Sequence, residues 1–158
     1  METRGKWPAI LVGGGVAGAL DLASAFLTFG WGVPKAIAGG LLGPSATQGG
    51  TGIWILGAAL HFLITLVAAA VYYGASRKLT FLRTNPVVCG LFFGIAVFLV
   101  MTLVVLPLSA LHSKGPYTLP GLIQGVLAHM ILVGLPISLS VWWFSRERAT
   151  AALSPARP

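Results

Sequence analysis

The chain has 158 residues, enough for one domain of ordinary size, of which 56% are apolar and only 8% charged. A soluble domain carries roughly 25% charged residues, and a chain this short has too much surface for its volume to hide so many apolar groups in a core of its own. The composition therefore excludes an ordinary soluble fold and makes lipid part of the solvent. The formal net charge of +7 is not a nucleic-acid signal, because the basic residues sit between apolar runs, where anionic headgroups meet them, and no basic stripe with interleaved aromatics occurs.

A membrane helix needs about 20 apolar residues, and four stretches qualify, at about 8–29, 53–75, 87–108 and 119–144. Pro8 suits a first helical turn. Asn85-Pro86 breaks the chain and restarts it, and Pro107 and Pro120 bracket the third connection. The first span has features of a signal peptide: Arg4 and Lys6 in front, and Ala23-Ser24-Ala25 with a small-x-small pattern. Its apolar run continues past Ala25 and is interrupted by Asp21, so a retained span is expected.

Between the first two spans, Pro34 to Leu42 reads as a short helix lying at the interface. Gly43 to Gly52 is rich in Gly, Ser and Thr and has no periodicity. Pro136 should kink the fourth span and free a carbonyl. Residues 149–158, small residues and proline, read as a disordered cytoplasmic tail after a single transmembrane domain over 1–148. No sequence repeat is read, and the one cysteine, Cys89, has no partner for an internal disulfide.

Basic residues set the expected orientation. With the N-terminus inside, the cytoplasmic segments hold Arg4, Lys6, Arg77, Lys78, Arg83, Arg146, Arg148 and Arg157, and the outer loops only Lys35 and Lys114. Trp7, Tyr72, Tyr73, Trp142 and Trp143 then fall at inner span ends, and Trp31, Trp54 and Tyr117 at or near outer ones, where amphipathic rings are most stable. The expected fold is an all-α, four-helix up-down membrane bundle with both termini inside, in a bacterial inner membrane.

Helices in lipid associate through close packing and interhelical hydrogen bonds. Small residues at helical spacing mark the packing faces: Gly14 and Gly18, Gly57, Gly90 and Gly94, Gly121 and Gly125. The same stripes allow a homo-oligomer seam. Three rare ionisable residues, Asp21, His61 and His129, sit at one expected depth, roughly 12–15 Å below the outer interface at 1.5 Å per residue. Thr65 and Gln124 share their faces, and Met101 and Thr102 come close to the same level.

Ionisable groups in hydrocarbon are costly and normally face the bundle interior, so this layer is the candidate site. Four readings stay open: a hydrogen-bonded cluster that fixes helix register; a metal site with His61, His129 and Asp21 as ligands; a haem with the two histidines as axial ligands; and a proton or solute pathway. Lesser candidates are weaker. His112 reads as solvated, Ser109 and Ser113 have no nucleophile elbow around them, and Gly13-Gly14-Gly15 lacks the strand and Lys-Ser/Thr pair of a phosphate loop.

Several segments carry a resemblance: Pro34 through Gly43 with Gly49-Gly50, then Leu60-His61-Phe62, Leu106 through Ala110, and His129 with Gly134-Leu135-Pro136. On these the chain resembles small four-span bacterial inner-membrane proteins of unknown function, broadly YagU-like. The resemblance implies a four-helix inner-membrane protein and no activity or cofactor. From the residues, the leading expectation is a non-enzymatic membrane protein whose polar layer binds a metal, haem or other ligand, or an accessory subunit of a larger membrane complex. The alternatives are a small oligomeric transporter or channel, and a ligand-free scaffold.

Overall fold

The computed structural model describes residues 5–113 and 117–153, with side chains described as far as residue 146. Lys114, Arg4 and Arg157 lie outside the described residues, as do the side chains at 147–153. Among the described residues every regular element is helical, and four helices are long and apolar enough to cross a membrane.

Helix α1 spans Lys6–Phe29 and stops at Gly30, whose φ of 81° closes the helix in a conformation that costs an L side chain more than glycine. The short helix α2, Val33–Leu42, starts with Pro34 in its first turn and stops the same way at Gly43, φ 90°. One 3₁₀ turn, Pro44–Gln48, follows where the sequence reads as irregular, with the Thr47 hydroxyl donating to Pro44 O at 2.8 Å. Helix α3 spans Thr51–Lys78, and α4, Phe81–Thr84, is a single turn before Asn85-Pro86 restarts the chain.

Helix α5 begins as Pro86–Val100, widens into a π turn at Met101–Val105, and ends with Leu106–Leu108. Helix α6 begins as Leu119–Ala128, capped by Thr118 Oγ1 accepting from Gly121 N. It widens at His129–Gly134 and continues as Leu135–Leu153, into the segment expected as a tail.

The two π turns have one cause. Each is closed by the residue just before a proline, with Leu106 N donating to Met101 O and Leu135 N to Met130 O. A proline inside a helix lacks an N–H and crowds the carbonyl four residues back, and widening the preceding turn relieves that crowding. The same seven-residue pattern, Met-x-Leu-Val-x-Leu-Pro, stands at 101–107 and 130–136. This corrects the sequence reading on one point: a short repeat exists, and it marks a π turn in both α5 and α6. Pro136 shows its effect as a π turn.

Glycines set the packing. Along α1, Gly14 lies against Leu66 and Gly18 against Phe62 and Thr65 of α3, so the two helices run antiparallel. Gly13 meets Ile137 and Ser140 of α6, and the Ser140 hydroxyl donates to Ala9 O at 3.0 Å. Gly90 meets Gly134 and Ser138, Gly94 meets His129 and Met130, and Gly125 meets the Phe98 ring, which makes α5 and α6 a tight antiparallel pair. Gly57 lies against the Pro34 backbone, seating α2 on α3. Gly121 differs from the other expected packing glycines: it is exposed, and the atom nearest its open side is Thr118 Oγ1 of its own cap.

The side-by-side order is therefore α3, α1, α6, α5, around a core that includes Ala17, Ala69, Tyr72, Val133, Ile137 and Val141. The fourth seam stays open. The backbones of α3 and α5 stand apart and meet through the Tyr72 and Phe93 rings, whose centroids are 4.9 Å apart. The seam forms a groove of about 550 Å³ lined by residues such as Val71, Tyr72, Phe81 and Phe92.

Candidate functional site in the α1–α3 seam

The close approach of α1 to α3 at Gly14 and Gly18 brings Asp21 and His61 together. His61 Nε2 lies 3.0 Å from Gly18 O and 3.9 Å from Asp21 Oδ2. A carbonyl only accepts, so in the neutral ring Nε2 carries the hydrogen and donates to Gly18 O. The imidazole thus ties α3 to the backbone of α1, and Asp21 stands as a second acceptor just beyond hydrogen-bond range. The side chains are 11% and 18% exposed, so both titratable groups are largely withdrawn from solvent. Thr65, one turn further along α3, is buried against Gly18 and donates to Phe62 O on its own helix at 3.0 Å.

His129 occupies a different seam. Its Nδ1 donates to Gly125 O at 2.9 Å, and its ring meets Phe98 of α5 edge-on, centroids 5.4 Å apart. Gln124 does not serve His129. It bridges α6 to α1, Nε2 donating to Thr28 Oγ1 at 3.0 Å, and Thr28 donates in turn to Ser24 O. Met101 opens the π turn of α5, and Thr102 beside it is buried.

The expected single layer is thus two groups, Asp21, His61 and Thr65 in one seam and His129 against α5 in another. The reason is helix rotation. The α6 stripe that carries Gly125 and His129 faces α5, whereas Ile137 and Ser140 face α1. Depth along a span follows from counting residues, but facing depends on which neighbour each stripe meets. Among the described residues no three His, Cys, Asp or Glu side chains come together as a metal-holding group.

No family model, curated protein or solved structure matches the chain.

Above the pair, the α1–α2–α3 connection is held by Phe26 and by two tryptophans that the sequence places at or near outer span ends. The Phe26, Trp31 and Trp54 rings pack together, with centroid distances of 4.4 Å for Phe26–Trp31 and 5.4 Å for Trp31–Trp54. Trp54 Nε1 donates to Trp31 O at 2.9 Å. With Pro34 seated on Gly57, one turn before His61, α2 is fixed at the same end of the α1–α3 seam as the Asp21–His61 pair. His112, a lesser candidate, is exposed.

Proposed function

We propose that the chain is a small multi-pass protein of a bacterial cytoplasmic membrane, with both termini inside, and that Asp21 and His61 form a proton-binding pair on a transport pathway. The membrane part rests on the four long apolar helices and on the distribution of basic residues, eight on one side and two on the other. The YagU-like resemblance agrees with that part and brings no activity to it.

One observation carries the functional part. Asp21 stands within a helix apolar enough to span, and its polar side-chain neighbour is itself titratable, His61 at 3.9 Å. A carboxyl group and an imidazole side by side can pass a proton from whichever holds it to the other, and intramembrane pairs of this kind mark proton relays. Among the described residues no third His, Cys, Asp or Glu joins the pair, which favours this chemistry over a metal centre.

The test is proton flux into liposomes holding the purified chain, read with a pH-sensitive dye under an imposed gradient. The wild type should conduct above protein-free vesicles, and Asp21→Asn and His61→Gln should each abolish the signal while keeping the wild-type helicity. Wild-type flux in both variants, or no flux in the wild type, rules the reading out. A second reading, register-fixing glue, is favoured by the His61–Gly18 bond. It predicts that both changes lower thermal stability and leave flux as it was.

A further inference from the structure

The α1–α6 seam is closed at one end of the bundle and open at the other. From its π turn onward α6 packs closely on α1, where Gly13 meets Ile137 and Ser140 and the Ser140 hydroxyl donates to Ala9 O. Toward the α2 end, the first part of α6, Leu119–Ala128, draws away from α1. A cavity of about 650 Å³ lies along the gap, with Ser24 of α1 on one wall and residues such as Ile123, Gln124 and Leu127 of α6 on the other. Across the gap Gln124 Nε2 donates to Thr28 Oγ1 at 3.0 Å, and Thr28 donates to Ser24 O at 3.0 Å. Gln124 and Thr28 are both exposed, so water can replace either partner of that bond.

Two features make Leu119–Ala128 a movable arm. It joins the rest of α6 at the π turn His129–Gly134, just before Pro136, where the regular ladder of hydrogen bonds is interrupted. Its seat on α5, the Phe98 ring against Gly125, lies on another face of the helix from the gap. The stripe of α1 beneath the arm is polar. Asp21, Ser24 and Thr28 follow one another at helical spacing, from the carboxylate that faces His61 to the end of the helix. Polar groups within a span are stable where they face protein or a water-filled cavity.

We propose that Leu119–Ala128 is a hinged gate over the Asp21–Ser24–Thr28 stripe, with the Gln124–Thr28 bond as its latch. Latched, the arm covers the stripe. Unlatched, it swings about the π turn, and water reaches Ser24 and then Asp21, one turn deeper. That water is the proton's route to the Asp21–His61 pair, a use of the gate that rests on the transport reading. The hinge and latch themselves do not rest on it.

Accessibility of Ser24 tests the gate. In a Cys89→Ala background Ser24→Cys is the sole thiol, and its rate of modification by a charged, membrane-impermeant methanethiosulfonate is read by mass spectrometry in lipid nanodiscs. Gln124→Leu and Thr28→Val each remove the latch, and each should raise the rate roughly fivefold, the population shift that follows loss of one ordinary hydrogen bond. Pro136→Ala restores an N–H at the hinge and should bring the Gln124→Leu rate back down. Leu20→Cys, exposed on another face of α1, meets lipid and should stay unmodified throughout.

A Ser24→Cys rate that either latch variant leaves unchanged overturns the gate, since a latch fails when either half is removed. A Leu20→Cys rate that rises in step also overturns it, because the whole bundle has then loosened. Should Ser24→Cys not fold, hydrogen exchange takes its place: the latch variants should exchange faster over 119–128 and not over 135–146, and equal exchange in both segments overturns the gate. Proton flux tells the two readings apart. Labelling that rises as expected while the wild type does not conduct leaves the gate standing and overturns the transport reading alone. Unchanged labelling with flux that depends on Asp21 overturns the gate alone.

Discussion

The Tyr117 hydroxyl donates to the backbone carbonyl of Thr102 at 3.3 Å. In a regular helix that carbonyl would take the N–H of Leu106, but the π turn directs Leu106 N to Met101 O. The next nitrogen along belongs to Pro107 and carries no hydrogen. The π turn therefore strips Thr102 O of its helical donor, and a tyrosine just before α6 supplies the replacement. In a membrane span a carbonyl has no water to fill that role.

Tyr117→Phe should therefore leave a backbone carbonyl unmet and lower stability by roughly 1–3 kcal/mol. Thermal unfolding in detergent measures it. The control is a double-mutant cycle with Pro107→Ala, which restores an N–H and relaxes the π turn. In that background the Tyr117→Phe cost should shrink to within about 0.5 kcal/mol. An equal cost in both backgrounds would mean that the hydroxyl acts elsewhere.

Gly57→Ala should unseat α2. A Cβ there would collide with the carbonyl of Pro34, a backbone atom that no rotamer change can move. The expected loss is roughly 1–3 kcal/mol, as for an overpacked core, together with faster hydrogen exchange in α2. Gly52→Ala, at a position with open space around it, should leave both unchanged.

The four long helices were legible because hydropathy over about 20 residues integrates many weak signals into one strong one. Single contacts are not integrated that way. Gly14 and Gly18 read as a packing face by spacing, but their partners Leu66 and Phe62 depend on how far α3 is rotated. His129 failed to join Asp21 for the same reason: its depth was readable and its facing was not. The Met-x-Leu-Val-x-Leu-Pro pattern at 101–107 and 130–136 is too short to build a repeating fold, and its meaning, a widened turn before a proline, lies in the backbone.

Ser140→Ala tests the α1–α6 seam and should cost little. The hydroxyl donates to Ala9 O at 3.0 Å, but that carbonyl keeps the place of its own helical donor when the serine is removed. Interhelical bonds of this kind average about 0.6 kcal/mol in membrane proteins. The loss should be clearly smaller than that of Tyr117→Phe, where the carbonyl has no second donor. Comparing the two unfolding midpoints decides it, and equal shifts would contradict the contrast between an extra bond and a sole one.

The α5–α6 pair is where backbones come closest, and Gly94→Ala addresses it directly. The missing Cβ of Gly94 points at His129 O and the Met130 backbone, at the start of the α6 π turn, and that of Gly134 at Gly90 O. Neither neighbour is the tip of a flexible side chain, so one helix must move away from the other. Gly94→Ala should lower stability by roughly 1–3 kcal/mol. Gly74→Ala, in a helix and with nothing within 4 Å, should instead be neutral or raise stability by about 0.5–1 kcal/mol, because alanine gives up less backbone freedom on folding. Opposite signs for two chemically identical substitutions would locate the close contact at the α5–α6 seam. A stabilised Gly94→Ala would show that the two helices do not approach this closely in the bilayer.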